Sequence, residues 1–177
     1  MEPPHGPPGE QSNEPGALRA RAGEPDPAAR EAVRQLVGLS AQRLDAEDFA
    51  GYMALCAPAF HYRITAYSPE IRKDMIWLDQ DRAGMEALLA MVPQHLRRLG
   101  GLSRQVSGET IESGGGGTIE AVSSVLVINT DLEGRSTLFA VGRYHDKVDT
   151  AGAAPLLVSR RVHLETRDLG IGSHVPI

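Results

Sequence analysis

The chain has 177 residues, of which 41% are hydrophobic, and its formal net charge is −5 at pH 7. This length and composition suit one domain with a substantial core. Because the balance is acidic and blocks of basic residues are absent, the sequence gives no electrostatic reason to bind nucleic acid or an anionic membrane. Apolar runs such as residues 125–128 are far shorter than the ~20 residues that a bilayer-spanning helix needs.

Cys56 is the single cysteine of the sequence. An intramolecular disulfide is therefore excluded, and a cytoplasmic location is expected. The N-terminus agrees with this expectation, because it has neither the basic region nor the apolar stretch of a secretory signal. One cysteine is also too few for an iron–sulfur cluster or for the common structural zinc sites, so we expect no cofactor or metal on this chain.

Residues 1–26 are predicted to be a disordered tail rich in proline and glycine. The tail holds six of the twelve prolines of the sequence, and Leu18 is its only large aliphatic residue after Met1. Such a segment cannot bury enough apolar surface to offset the entropy lost on ordering. Residues 27–177 are predicted to form a single domain.

Two helices are predicted at the start of this domain. Asp26 and Pro27 suit the N-cap and the first position of a helix of about four to five turns. Its buried side is predicted from residues that recur at helical spacing: Val33, Leu36, Val37, Ser40 and Leu44. Asp45 is predicted to cap a short second helix, in which two further acids suit the helix dipole, and Pro58 is predicted to end it.

The next segment predicts a strand, a second short strand and a helix. Residues 60–67 alternate, with the core side formed by Phe60, Tyr62, Ile64 and Ala66. Residues 75–78 are predicted as the short strand. Asp81 is predicted to cap the third helix and Pro93 to end it.

Four extended segments are predicted after Leu102, at about 103–112, 118–131, 136–149 and 156–168. Their connections are too short for helices, so the strands should be antiparallel; the glycine run 114–117 is predicted as a hairpin loop. Residues 119–130 are apolar on both faces, which indicates a strand covered on both sides by helices or by a partner. The expected fold class is α+β, with N-terminal helices packed in a curved, mainly antiparallel sheet that makes a cone.

Several ordered segments resemble the β subunits of aromatic-ring-hydroxylating dioxygenases, which are Rieske non-haem iron oxygenases. The segment Trp77 to Arg82 leads into a helix, and Leu102 to Arg104 opens the long meander. Phe139 to Asp146 is similar in character to the family strand F-x-G-R-…-D, and Val158 to Leu164 is similar to its strand A-R-R-x-V-x-L-D. The resemblance spans roughly residues 30–177, and its specificity comes from the agreement of several segments in order.

Two stretches resemble one branch of this family, the small hydroxylase subunit of methanesulfonate monooxygenase. They are Ile64 to Arg72 and Leu169 to His174. One position departs from the family pattern, because many members carry histidine where Gln105 stands. The departure puts in doubt any interface contact that this histidine makes.

The resemblance implies a scytalone-dehydratase-like (cystatin-like) cone and a non-catalytic structural role. It also implies an assembly of three large α and three small β subunits, with the Rieske 2Fe-2S cluster and the mononuclear iron on the α subunits. The substrate would be an aromatic ring or a small sulfonate, and the sequence of this subunit does not decide between them. It also does not decide between mono- and dioxygenation.

Other proteins with this cone are enzymes, so two alternatives stay open: a stand-alone dehydratase or isomerase, and a small-ligand-binding protein. Such enzymes place acids and bases inside the cone, where burial tunes the pKa. The candidates here are Tyr62, Tyr67, Asp79, Asp81, Tyr144 and His145. A structural interpretation of half-buried tyrosines and a capping aspartate is favoured, because no spacing among them marks an acid–base pair.

A metal site on this chain is not favoured by its histidines: His5, His61, His95, His145, His163 and His174. A mononuclear iron site takes two histidines and a carboxylate on one face, and no two histidines lie a helical turn apart. His145 and His163 are left as a pair that adjacent strands could bring together. Otherwise strand histidines of this kind are expected at a surface or interface.

Arginines on the last strands are the main candidates for subunit contacts. Arg160 falls in phase with an inward-facing row, and Arg161 falls on the opposite face with Ser159 and His163. A buried arginine must be paired, either with a neighbouring subunit or within the chain through Asp79, Asp81 or Glu165. The full set of interface candidates is Arg143, Arg160, Arg161, Arg104, Arg82 and Tyr67.

Overall fold

The computed structural model describes residues 24–94, 100–170 and 175–177. Most of the predicted tail, residues 1–23, lies outside the described residues, and so do His5, His95 and His174. The disorder of the tail therefore stays a prediction, as does the division into a tail and one domain. In the part of the chain that is described, no helix combines the length and the apolarity needed to cross a bilayer.

Helix α1 (Pro27–Asp45) begins as predicted, because the Asp26 side chain accepts a hydrogen bond from Ala28 N at 2.8 Å. All five residues of its predicted stripe are buried. Helix α2 (Phe49–Ala54) is capped by Asp48, whose carboxylate accepts from Gly51 N at 2.9 Å. The prediction that Asp45 caps this helix is wrong, because its carboxylate is bonded to Arg104 instead.

Strand β1 (Cys56–Ser68) starts earlier than predicted and includes Pro58, so the prediction that this proline ends α2 is wrong. The predicted inward row of β1 is confirmed, since all four of its residues are buried. Strand β2 (Lys73–Asp81) leads into α3 (Arg82–Met91), and Asp81 caps α3 by accepting from Gly84 N at 2.8 Å. A short 3₁₀ turn, Val92–Gln94, follows at the predicted stop.

The four predicted extended segments form strands β3 (Gly101–Ser113), β4 (Thr118–Thr130), β5 (Ser136–Asp149) and β6 (Leu156–Leu164). Strand β6 is shorter than predicted and ends at Leu164. All three hairpin connections lie where they were predicted. Gly134 has φ +81° in the β4–β5 turn, a backbone conformation that glycine adopts without the cost of a Cβ clash.

One six-stranded sheet contains all of these strands, in the order β2-β1-β6-β5-β4-β3. Every neighbouring pair is antiparallel except β1 and β6, which run parallel. Alternate residues of each strand join the helices in one hydrophobic core. We call this side of the sheet the inner face and the opposite side the outer face.

Strand β4 shows how differently the two faces are covered. Its inner row, which includes Ala121, Val125 and Val127, is buried. Its outer row is apolar as well, yet the side chain of Leu126 is 43% exposed. The prediction of a strand covered on both sides is therefore met on the inner face, whereas this chain alone leaves the outer face open.

Candidate functional site

The interior of the sheet contains a buried ion pair between neighbouring strands. Arg160 on β6 lies opposite Asp146 on β5, and its Nε and Nη2 donate to the two carboxylate oxygens at 2.7 Å each. Both side chains are at most 1% exposed. The Arg160 guanidinium also lies over the Tyr144 ring, with its carbon 4.0 Å from the ring centre. This geometry combines a bidentate charge pair with a cation–π contact.

The Arg160 guanidinium stays charged in this environment. Burial disfavours its charged form, but the attraction and hydrogen bonds of Asp146 outweigh that effect and raise the pKa of Arg160 above its ordinary value. The inward position predicted for Arg160 is confirmed. Its candidacy as an interface residue is not supported, because its partner is Asp146 of the same chain and no part of its side chain is exposed.

Arg104 on β3 forms a second polar cluster inside the chain. Its Nη1 donates to Asp45 at 2.6 Å, and its backbone N donates to the same carboxylate. Nη2 donates to Pro176 O at 2.5 Å. The Arg104 side chain is 0% exposed. Like Arg160, this interface candidate is therefore bonded within the chain, where it connects α1, β3 and residues 175–177.

Large side chains occupy the region between the helices and the sheet. Tyr52, Tyr62 and Tyr144 are completely buried. Burial is the main cause that raises the pKa of all three hydroxyls above 10, so they stay protonated at neutral pH. Burial likewise raises the pKa of the Cys56 thiol to about 12, which removes its nucleophilic form.

The acid–base candidates do not meet in one site. Tyr62 and Tyr144 lie on the inner face, and Tyr62 is engaged with the backbone of Ile177 through two hydrogen bonds, of 3.0 and 3.1 Å. Tyr67 and His145 lie on the outer face, and Asp79 there is bound to Arg63 at 2.6 Å. Asp81 caps α3. The arrangement therefore supports the structural interpretation of these residues.

The outer face has a cavity of about 300 Å³ over strands β2, β1, β6 and β5. We call it the outer-face cavity, and its lining is basic and partly apolar: Arg63, Thr65, Asp74, Ile76, His145, Arg161 and His163. His145 and His163, which the sequence analysis considers as a pair on adjacent strands, both line this cavity. Thr65 Oγ1 lies 3.2 Å from His163 Nδ1.

Three of the four remaining interface candidates, Arg143, Arg161 and Tyr67, lie on this face. Arg143 pairs with Glu165 at 3.0 Å on an exposed site. Arg161 is exposed and lines the cavity, and Tyr67 is 47% exposed. Arg82 lies at the start of α3, where it donates to Cys56 O at 2.7 Å and pairs with the Glu86 side chain. Arg143, Arg161 and Tyr67 thus remain accessible to a neighbour.

Replacing His145 with glutamine is expected to make the stability less sensitive to acid. Burial, then the nearby charges of Arg161 and His163, lower the pKa of His145 below its usual 6.5. The unfolded chain therefore takes up a proton first, and folding loses stability as the pH falls through about 6.5. Urea unfolding at pH 7.5 and 5.5 should show a smaller loss for His145→Gln than for the wild type; equal losses would contradict this assignment.

The partners of the two buried arginines were not identified from the sequence. The sequence shows Asp146 only as part of a strand motif, and it predicts Asp45 as a helix cap. For Asp146 a signal existed, because it shares the inward phase of Tyr144 on β5. Placing it opposite Arg160 needs the register of β5 and β6, which a single strand pattern does not contain.

Sequence comparisons with known proteins identify relatives of this chain. No protein-family model matches the chain. The chain is 36% identical over 158 residues to the β subunit of methanesulfonate monooxygenase hydroxylase from Methylosulfonomonas methylovora, a match covering 84% of this chain and 87% of that protein. It is 30% identical over 145 residues to the β subunit of 2-aminobenzenesulfonate 2,3-dioxygenase from an Alcaligenes species, covering 82% and 97%.

Solved structures confirm the predicted cone. The β subunit assigned to an aromatic-ring-hydroxylating dioxygenase of Novosphingobium aromaticivorans superposes with a TM-score of 0.72 at 16% identity, covering 85% of this chain and 97% of that one. A protein of the same bacterium assigned as a scytalone dehydratase gives 0.60 at 16%, covering 82% and 93%. A cystatin-like protein of Nostoc punctiforme gives 0.59 at 15%, covering 80% and 94%. From the two sequence relatives and this shared fold, the chain belongs to the β (small) subunits of Rieske non-haem iron oxygenases, a family that includes those of the aromatic-ring-hydroxylating dioxygenases.

Proposed function

We propose that this chain is a non-catalytic, structural β subunit that supports a larger α subunit of the oxygenase. The main observation in support of this proposal is that the outer face of the sheet is uncovered. Large apolar side chains are exposed there by 43–62%: Tyr67, Ile76, Leu126 and Leu138. Exposed apolar groups gathered on one face of a sheet are typical of a surface that a partner covers.

The interior of the cone supports the same proposal. In related cone-shaped enzymes the chemistry takes place there, whereas here the space holds fully buried side chains such as Arg160, Tyr52 and Phe60. Two fully buried ionised groups in this interior, Arg160 and Asp146, are bound to each other. A pair of this kind holds two strands in register and leaves neither group free for proton transfer.

The iron chemistry is assigned to the partner in this proposal. A Rieske cluster takes two cysteine and two histidine ligands, and this chain has one cysteine, which is buried. We propose that the α subunit carries the 2Fe-2S cluster and the mononuclear iron, that three α and three β subunits assemble together, and that the complex works in the cytoplasm.

A sulfonate is the proposed class of substrate for the complex. The two sequence relatives are named for methanesulfonate and for 2-aminobenzenesulfonate. These molecules share the sulfonate group and differ in carrying a methyl group or an aromatic ring. Their common group supports the class of substrate, while the carbon skeleton stays open.

The proposal is tested by co-expression of this chain with the large oxygenase subunit of the same organism. We expect a stable complex in native mass spectrometry, sulfonate-dependent NADH oxidation with the cognate reductase, and loss of soluble large subunit when this chain is omitted. Leu126→Asp, on the outer face, should prevent assembly because it places a charge in a desolvated contact. Leu39→Asp is the matched control, since Leu39 is similarly exposed, at 38%, on α1.

Two outcomes would contradict the structural role. A large subunit that assembles and turns over fully without this chain would show that no support is needed. An isolated preparation of this chain that converts a substrate would show that it is a stand-alone enzyme.

A further inference from the structure

A row of basic side chains crosses the outer face at the outer-face cavity. Arg63 on β1 lies directly opposite Arg161 on the parallel strand β6. Arg161 lies directly opposite His145 on β5. Like charges at opposite positions of neighbouring strands weaken strand pairing. The sheet therefore gains no stability of its own from placing two arginines side by side.

Carboxylates of the sheet neutralise only one end of this row. Asp79 accepts from Arg63 Nη2 at 2.6 Å, and it also contacts His61 Nε2 at 2.6 Å. Asp74 lines the cavity, yet within residues 24–94, 100–170 and 175–177 it forms no ion pair with Arg161. Among the residues that the structure describes, the Arg161 guanidinium in the middle of the face therefore has no carboxylate partner, and its planar fork matches such a group.

Side chains at the cavity also have nitrogen atoms without a hydrogen-bond partner. Arg63 Nε is one of them among the residues described, although this atom itself has almost no accessible surface. Nδ1 of His163 lies 3.2 Å from Thr65 Oγ1. When Thr65 donates to Nδ1, the neutral ring carries its proton on Nε2 and adds a donor there. A carboxylate has about four acceptor positions on its two oxygens, so it suits a site that is rich in donors.

We propose that the outer-face cavity binds a carboxylate side chain of the large oxygenase subunit, an inference that rests on the structural role proposed above. The surroundings favour a protein partner. Ile76 lines the cavity and is 57% exposed, and Tyr67, 47% exposed, lies opposite Asp74 in the β1–β2 pair. A subunit that covers these apolar groups also excludes water from the arginines, and excluding water strengthens a charge-assisted hydrogen bond.

A free oxyanion is a weaker occupant of this cavity. The Arg63 side chain is 38% exposed and the cavity opens to solvent, and ion pairs with exposed arginines contribute little in water. A carboxylate fixed on a docking subunit loses less freedom on binding, because the rest of the interface already holds it in place. The site therefore acts as a charged anchor within an apolar contact.

The test is the affinity of the large subunit for Arg161→Gln, measured by titration in native mass spectrometry. We expect the dissociation constant to rise at least tenfold, and Arg161→Glu to prevent assembly. Arg135→Gln is the matched control, because Arg135 is an exposed arginine of the β4–β5 turn. The melting temperature of the isolated Arg161→Gln chain should be unchanged or higher, since only like-charge repulsion is removed.

Charge exchange identifies the occupant directly. Acidic residues of the large subunit are replaced one at a time by lysine and co-expressed with Arg161→Glu. One of these substitutions should restore assembly, because it recreates the pair with its charges reversed. Assembly restored by no lysine substitution would overturn the proposal.

Other outcomes separate this inference from the proposed function. Wild-type chains that never bind the large subunit would refute the structural role itself. Wild-type assembly with an unchanged affinity for Arg161→Gln would overturn the carboxylate anchor alone. Two further results would overturn the anchor. In the first, Arg161→Gln changes the self-association of this chain and nothing else. In the second, it abolishes saturable binding of methanesulfonate to the isolated chain and leaves the affinity for the large subunit unchanged.

Discussion

Replacing Asp146 with asparagine is expected to lower the free energy of unfolding by about 3–5 kcal/mol. The substitution leaves the Arg160 guanidinium charged and completely buried, with no carboxylate to accept its two short hydrogen bonds. An uncompensated charge in the core costs far more than a lost contact at the surface. For a chain of this size, the melting temperature should fall by roughly 6–20 °C.

A matched control is available beside the same two strands, because Arg143 lies on β5 and Glu165 directly follows β6. Glu165→Gln breaks the pair with Arg143, in which both side chains are more than half exposed. Exposed pairs contribute little, so its effect should stay within about 0.5–1 kcal/mol. Thermal and urea unfolding followed by circular dichroism measures both variants.

A double replacement separates the effect of the buried charge on stability from the effect of side-chain packing. Asp146→Leu combined with Arg160→Met removes both charges and replaces the two side chains by apolar ones of similar shape, so it should be much less destabilising than Asp146→Asn alone. Equal losses for Asp146→Asn and Glu165→Gln would show that the buried pair has no special cost when broken.

Replacing Asp45 with alanine is expected to cost about 2–4 kcal/mol. Asp45 accepts from both the guanidinium and the backbone N of Arg104, whose side chain is 0% exposed. Because the Asp45 side chain is 25% exposed, water replaces part of what is lost. The expected cost is therefore smaller than for Asp146.

Glu31→Ala on the same helix provides the comparison. Glu31 pairs with Arg34 on the exposed side of α1, where both side chains are about half exposed. Its removal should leave the free energy of unfolding almost unchanged, because water replaces the contacts of an exposed carboxylate. A loss for Asp45→Ala no larger than this would contradict the assigned role of Asp45 in holding β3 against α1.

Local patterns predicted most of the secondary structure correctly because their causes are local. The Asp26 and Asp81 caps, the buried stripe of α1 and the inward row of β1 follow from spacing along one element. Pro58 and Asp45 were assigned wrongly for the opposite reason. A proline is tolerated at the start of a strand, and an aspartate beside a helix end is free to bind a distant arginine instead of capping.

The candidate site depended on information that no single element contains. The sequence placed Arg160 and Arg161 on opposite faces of β6, and the structure agrees. Which groups they meet depends on register: Asp146 opposite Arg160, and Arg63 and His145 on either side of Arg161. A register shift of one residue would exchange the two faces, so these partners follow only from the assembled sheet.

The sequence by itself determined the α+β class, the antiparallel meander and the family, because apolar periodicity, short connections and ordered motifs are written along the chain. The tertiary structure alone decided that β1 lies parallel to β6, which brings residues almost a hundred positions apart into contact, such as Thr65 and His163. That pairing forms both the buried core of the cone and the outer-face cavity. The physical reason for this pairing is burial, because the sheet curves around the helices and removes their apolar sides from water. No local sequence pattern determines which strands become neighbours in that sheet.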